Sequence, residues 1–375
     1  MRIVRWAPAM LLVFVLVLFE ISSPQAEVLY ALGVPEGNGS TTDILLRTDL
    51  ANPAIWNPVC PVTGQVAAAP QARRIVFAVK PRTPQNVNDP DGSAFSFIDP
   101  EGKSSGPVIK RRDVLPELLG PGTSRRFITD FALAPNAKRI AICVWNPPEV
   151  IYLRVLDSET RRLVSISNAD RYDECPAWSP DGRRVAFYRT NLRVGHGWGE
   201  TSERGYALCV WDSTTSKIME IAPPGFYANV SHRPPAWTPD GKEIVFQTAY
   251  DENREVPGIY IVGAEGKNLR RITPEGRGPG TGAVSYSIAP GGRQLVFTWG
   301  HKLLMADLSG ENQKVLTEIA CDYAFWSQSG SHIVFHAAAD GWYLANSLGR
   351  DTRPIIPPAG YRIHPLFTIS HTETP

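Results

Sequence analysis

Apolar residues in this chain do not recur at helical spacing. They fall in short β-forming runs separated by Pro, Asp, Gly and Ser. The clearest case is "CPAWSPDGRRVAFYRT" (175–190), where Pro180, Asp181 and Gly182 lie between a Trp-bearing segment and Val185-Ala186-Phe187-Tyr188. Pro presets the backbone entering a turn, and Asp-Gly supplies the freedom of a two-residue connection, so the stretch predicts strand, tight turn, strand.

The same grammar returns along the chain. "PAWTPDGKEIVFQT" (235–248) is a near copy, "YSIAPGGRQLVFTW" (286–299) a relative, and "AFWSQSGSHIVFHA" (324–337) keeps the aromatic, the Gly and the Val-Phe. "FALAPNAKRIAICV" (131–144) and "VAAAPQARRIVFAV" (66–79) retain the Pro and the basic residue before the apolar run. Most copies are followed by a second hairpin, as in "YALCVWDSTTSKIMEIA" and "GIYIVGAEGKNLRRITP". Each unit therefore holds four strands, A to D. Successive Pro180-type positions (70, 135, 180, 239, 290 and 328) are 38 to 65 residues apart. Four antiparallel strands at such a period predict the blade of an all-β propeller.

The chain ends complete one another. "RIHPLFTISHTETP" reads as an A strand with nothing after it, and "EVLYALG", "DILLRTDL" and "AIWNPV" read as B, C and D with nothing before them. Joined, they make a shared blade that removes both open sheet edges. The expectation is seven blades, or six if the N-terminal strands are irregular.

Composition adds three points. The 31 Gly, 33 Pro and 10 Trp suit many short packed strands, and a formal charge of +1 gives no basic footprint for nucleic acid. Arg2 and Arg5 precede an uncharged stretch from Trp6 to Phe19, followed by the small residues of "SSPQA". That pattern predicts a signal peptide over 1–26, a propeller over 27–375 and a periplasmic or secreted location, with an uncleaved anchor as the alternative. Five cysteines form no CxxC pair. Cys143 and Cys209 lie in apolar runs and are expected to be buried, whereas Cys175 and Cys321, ahead of A strands, are expected to be more open; disulfide partners stay undetermined.

The Ala-Trp-Ser-Pro-Asp-Gly hairpin followed by a basic residue resembles the WD-like repeat of TolB-type propellers, most strongly at 177–188 and 236–246. A similar repeat occurs in propellers of prolyl-oligopeptidase and dipeptidyl-peptidase relatives and in oligogalacturonate lyases. The resemblance implies the fold and leaves the function open. TolB carries an additional N-terminal α/β domain before its propeller, for which this chain is not expected to have room.

Alternation places the short A–B and C–D turns on one face and the longer B–C and D–A connections on the other, at 80–92, 111–127, 189–205, 222–233, 248–257 and 274–283. Long loops on a rigid scaffold are where binding normally resides. Residues just before the innermost A strands are expected to ring the channel mouth on that face: Asp130, Asp173, Glu174, His232, Arg233, Asp322 and His364, with His196 and Trp198 in a neighbouring insertion. Phe226 and Tyr227 add aromatic character.

Catalytic signatures are missing: there is no GxSxG elbow, P-loop or HExxH. His332 and His336 flank a predicted B strand, but residues four apart on a strand are roughly 13 Å apart, too far for a shared metal. The preferred reading is an exported, non-catalytic, monomeric propeller without a cofactor. It binds a protein or peptide partner through the nine ring and loop residues from Asp130 to His364, a role similar to TolB in envelope complexes. The alternative is an enzyme on polysaccharide resembling oligogalacturonate lyase, with His232 and His364 as metal or base candidates and Arg233 as a carboxylate clamp.

Overall fold

The computed structural model describes residues 27–36, 43–62, 65–79, 89, 91–116, 127–146, 150–167, 172–190, 207–222, 234–248, 258–273, 285–337 and 341–370. The predicted signal peptide therefore lies outside the described residues. So do His196, Trp198, Phe226, Tyr227, His232 and Arg233.

Among the described residues 28 strands follow one another with a single four-residue α-helix, α1 (Arg111–Val114). The first sheet takes β1 (Glu27–Pro35), β2 (Asp43–Asp49) and β3 (Trp56–Val62). β4 (Val66–Ala69), β5 (Arg74–Ala78), β6 (Ser93–Ile98) and β7 (Ile109–Lys110) follow, then β8 (Phe127–Leu133), β9 (Arg139–Asn146), β10 (Val150–Asp157) and β11 (Leu163–Ser165). Next come β12 (Tyr172–Trp178), β13 (Arg184–Thr190), β14 (Ala207–Asp212) and β15 (Ile218–Glu220). β16 (Ala236–Trp237), β17 (Glu243–Gln247), β18 (Ile259–Gly263) and β19 (Arg270–Arg271) precede β20 (Tyr286–Ile288), β21 (Gln294–Trp299), β22 (Lys302–Asp307) and β23 (Lys314–Thr317). β24 (Cys321–Trp326), β25 (His332–Ala337), β26 (Gly341–Asn346) and β27 (Arg353–Pro354) lead to β28 (Tyr361–Ser370).

The architecture is an all-β propeller of small antiparallel sheets. Five sheets are separate and four-stranded, and one holds eight strands. This corrects the expectation of seven uniform sheets, because β8–β11 and β12–β15 run together through one parallel bridge between Ile151 and Tyr172. β11 pairs only with Arg154, Val155 and Leu156 of β10, and the bridge to Tyr172 forms at Ile151, beyond that pairing. First strands of neighbouring sheets lie against one another, β4 on β8, β8 on β12, β12 on β16 and β20 on β24, and so form the inner wall. Between sheets sit apolar clusters such as Ala186, Tyr188 and Val210 packed on Trp237, Ile244 and Phe246. Burial of these side chains is the main stabilising contribution.

The repeated turn is longer than the sequence suggested. Ser179 N–H donates to Arg184 O at 2.9 Å and Gly182 N–H to Ser179 O at 2.8 Å, so four residues, 180–183, form the connection. Pro180 has no N–H to continue the ladder and starts a turn that ends with Gly182 at φ 65°, a left-handed conformation glycine adopts without strain. In the degraded copy Ala137 holds that position at φ 56°. Thr238 Oγ1 donates to Asp240 at 2.7 Å and Lys242 N–H at 3.1 Å, bonds that hold the Asp240 carboxyl below the usual carboxylate range. The aspartates of the repeat are therefore turn locks.

The Trp and the basic residue join adjacent sheets. Trp178 Nε1 donates to Ala132 O at 3.1 Å and Trp237 Nε1 to Ala177 O at 3.0 Å, each reaching the preceding sheet. Arg184 lies 4.7 Å over the Trp237 ring and donates to Gly241 O at 2.6 Å; Arg139 does the same over Trp178 and to Gly182 O. Replacing Arg184 by alanine is expected to cost about 2 kcal/mol, the sum of a cation–π contact and a charge-assisted hydrogen bond, read from the urea midpoint.

Both chain ends meet in one sheet. β28 pairs antiparallel with β1, from Glu27↔Ser370 to Pro35↔Tyr361, as the split repeat predicted. Glu27, only 4% exposed, accepts from Ser329 N at 3.0 Å, Thr368 Oγ1 at 2.7 Å and the Ser329 hydroxyl. It thus ties the first strand to the last and to the β24–β25 turn of the adjoining sheet.

No helix among the described residues is long and apolar enough to cross a membrane. All five thiols are free; Cys143 and Cys209 are buried as expected, but Cys175 and Cys321 are buried as well, contrary to the sequence reading. Burial pushes the Cys321 thiol up to about 12 and the Cys60 thiol to about 11, so neither is a nucleophile at neutral pH.

Candidate functional site

The inner strands carry the ring residues within them, not in loops ahead of them. Asp130 is in β8, Asp173 and Glu174 in β12, Asp322 in β24 and His364 in β28. Each of these strands has a register shift beside the predicted residue: between Ile128 and Asp130, between Glu174 and Ala177, between Cys321 and Tyr323, and opposite Tyr30/Ala31 near Pro365 and Phe367. An extra residue in one strand re-aims its neighbours. In β12 the shift falls on Cys175, which sits at φ 54°.

The shifts have different consequences. Asp173 is fully buried, with Oδ1 2.7 Å from Arg189 Nε and Oδ2 2.6 Å from Arg189 Nη2. It also accepts from the Ser167 hydroxyl, whose oxygen takes the Leu153 N–H at 2.7 Å. Its expected place at the open mouth is corrected: β12 turns it into the joint between β10 and β13, where a paired carboxylate is satisfied and shielded from solvent. Glu174 beside it is half-buried.

Asp322 is the extra residue of β24 and remains 52% exposed. Its Oδ1 lies 2.7 Å from His336 Nδ1, and the His336 ring is 4.9 Å from Trp342, which meets Tyr323 edge-on at 5.7 Å. His332 lies 4.0 Å from Glu27, whereas the partner of His336 comes from the neighbouring strand β24. His364 is exposed in β28, with Leu32 as its backbone partner.

Asp130 borders a cavity. It is a shallow, open hollow of about 300 Å³ lined by Leu32, Gln65, Val66, Asp130, Phe131 and Leu366, from the closing sheet, from β4 and the residue before it, and from β8. Four linings are apolar, and Asp130, whose Oδ1 accepts the Phe131 N–H at 2.8 Å, stands with Gln65 at the polar edge. Apolar walls with a few polar groups are the usual composition of a binding pocket. Sequence reasoning found Asp130 by its place before an A strand but missed Leu32, Val66, Phe131 and Leu366, since apolar residues in strands read as core. Arg189 was also missed, although a cation at the end of a B strand facing a carboxylate in strand A was a usable signal.

Among the described residues no three His, Cys, Asp or Glu side chains are grouped to hold a metal ion. Among the described residues the ring thus shows one buried ion pair, one exposed Asp–His pair, Glu174 and His364, and one open apolar hollow edged by a carboxylate.

Solved structures similar in fold include a puromycin hydrolase, 14% identical with a TM-score of 0.59 over 91% of this chain and 54% of that one. An oligogalacturonate lyase from Vibrio parahaemolyticus is 11% identical, TM-score 0.53, over 88% and 86%. TolB from Acinetobacter baumannii is 15% identical, TM-score 0.47, over 77% of this chain, which spans 62% of that protein's length. At such identities the likeness concerns the fold. The model of the TolB beta propeller domain matches residues 123–360, from just before β8 to just before β28. With more than half of its length matched, and with the Trp, turn-aspartate and basic positions of the repeat in structural use, this chain belongs to the TolB beta propeller domain family.

Proposed function

We propose that the protein is an exported, monomeric, non-catalytic propeller that binds a protein or peptide partner across the long-loop face and channel mouth. The propeller is read as a single domain over 27–375. Periplasmic or secreted location follows from the "MRIVRW" start and the apolar stretch after it.

The observation that carries this reading is the cavity beside Asp130. It suits an apolar partner side chain, while Asp130 and Gln65 offer acceptors to the partner's backbone or to a cation. His364 and the Asp322–His336 pair extend the surface, and His196, Trp198, His232, Arg233 and Glu174 complete the proposed contact set. Asp173 contributes by fixing β12.

The test places a photo-crosslinking residue at Leu32 or Val66, and for comparison at Asn136 on the opposite face, in the exported protein. Adducts of one defined size from the first two positions are expected, reduced at least ten-fold by Asp130→Ala, a loss typical of a central contact. No adduct at either position, together with manganese-dependent cleavage of oligogalacturonate, would replace the reading by the lyase one.

A further inference from the structure

A second group of polar and aromatic side chains stands in the sheet β24–β27 and shares no residue with the hollow beside Asp130. Its members come from the ends of three neighbouring strands. Register pairs Tyr323 with His336 and His336 with Trp342, so one row crosses β24, β25 and β26, and the extra residue of β24 sets Asp322 beside that row. The connection next to it is short: three residues separate β25 from β26, against sixteen between β13 and β14.

The row is held in place from several sides. Asp322 Oδ1 lies 2.7 Å from His336 Nδ1, the His336 ring is 4.9 Å from that of Trp342, and Trp342 meets Tyr323 edge-on at 5.7 Å. Trp342 and Phe325, the latter 6.1 Å from Tyr323, are half-buried on the apolar cluster that joins this sheet to the closing one. A ligand therefore meets side chains that are already ordered.

Three polar atoms of the row stay open. A carboxylate only accepts, so His336 Nδ1 carries the proton shared with Asp322, and Nε2 of the neutral ring is an acceptor. The Asp322 side chain is 52% and that of His336 29% exposed. Among the described residues Asp322 Oδ2, His336 Nε2 and Trp342 Nε1 have no hydrogen-bond partner, and the two ring nitrogens are not enclosed. By contrast, the indole N–H groups of Trp56, Trp178 and Trp237 each donate to a backbone carbonyl.

Two acceptors and one donor beside aromatic rings suit one class of ligand. Vicinal hydroxyl groups both donate and accept, and the C–H face of a sugar ring packs on aromatic surface. An ammonium or guanidinium has no acceptor for Trp342 Nε1, and a carboxylate meets the like charge of Asp322. We propose that the Asp322–His336–Trp342 row is a subsite for a neutral saccharide, with Asp322 and His336 accepting from its hydroxyl groups and Trp342 donating to one. The subsite is separate from the peptide contact proposed at Asp130, and either stands without the other.

The full chain is tested by ligand-observed NMR titration with cellotetraose, maltotetraose and chitotetraose, and with tetragalacturonate and tetraarginine as charged counterparts. At least one neutral sugar is expected to bind with a dissociation constant on the order of 1 mM, the range of an open site with few contacts. Trp342→Phe, which keeps a ring and removes the N–H, and Asp322→Asn should each weaken that binding about ten-fold, the equivalent of one hydrogen bond. Lys217→Ala, in the exposed turn between β14 and β15, should leave it unchanged. Unaltered thermal midpoints show that the variants are folded; if Trp342→Phe is not, Asp322→Asn decides alone. Binding of none of the three neutral sugars, an affinity that Asp322→Asn leaves unchanged, or tighter binding of tetragalacturonate or tetraarginine overturns the proposal.

Discussion

Asp173→Ala lowers the unfolding free energy by about 4 kcal/mol, because it strands the Arg189 guanidinium against β12 without its carboxylate. The Arg189 side chain is 11% exposed and Asp173 wholly buried, so water replaces the lost bonds poorly. Ser167 also loses its acceptor, loosening the Leu153 end of β10. The measurement is the guanidinium midpoint of wild type, Asp173→Ala, Arg189→Leu and the double variant. Removing both charges should recover part of the loss, since the desolvation of the Arg189 guanidinium is then removed together with the pair. Equal stability of Asp173→Ala and wild type would return Asp173 to the open channel mouth.

The second large effect is expected at the seam. Glu27→Ala removes the acceptor of Ser329 N, the Ser329 hydroxyl and Thr368 Oγ1, and about 3 kcal/mol of stability goes with these charge-assisted bonds. Burial pushes the Glu27 carboxyl up, but the bonds from Ser329 and Thr368 outweigh it and hold the group below its ordinary value of 4.5. A depressed carboxyl favours the folded state above pH 4.5, and that contribution is lost as pH falls through the lower folded-state value. His332, 4.0 Å from Glu27, has its imidazole lowered from 6.5, chiefly by burial, so its share of stability begins to fall below pH 6.5. Thermal midpoints against pH should show both declines in wild type and only the upper one in Glu27→Gln. A parallel profile for the two proteins would show that the seam does not depend on the carboxylate.

These two carboxylates show where sequence reasoning worked and where it stopped. Asp173 was singled out because it precedes a Trp-bearing A strand, and that placement was right to within a few residues. Its role was not legible, because Arg189 is 16 positions away and Ser167 is 6 before it, and only the pairing of β12 with β13 brings them together. Glu27 was read as the start of a B strand, and its partners lie 302 and 341 positions along the chain. The Asp322–His336 pair has the same origin, an extra residue in β24.

The repeat alone determined the class of fold, the run of four-stranded units and the sharing of one sheet by both chain ends. Those features depend on local chemistry: Pro and Gly in turns, β-forming runs between them, and a Trp at a fixed offset. Tertiary structure decided the rest. Whether an acidic side chain faces water or an arginine, whether β10 reaches β12, and which apolar residues wall a cavity all depend on contacts between strands distant in sequence. A one-residue shift in pairing reverses the direction of a side chain, and the local pattern holds no information about where that shift occurs.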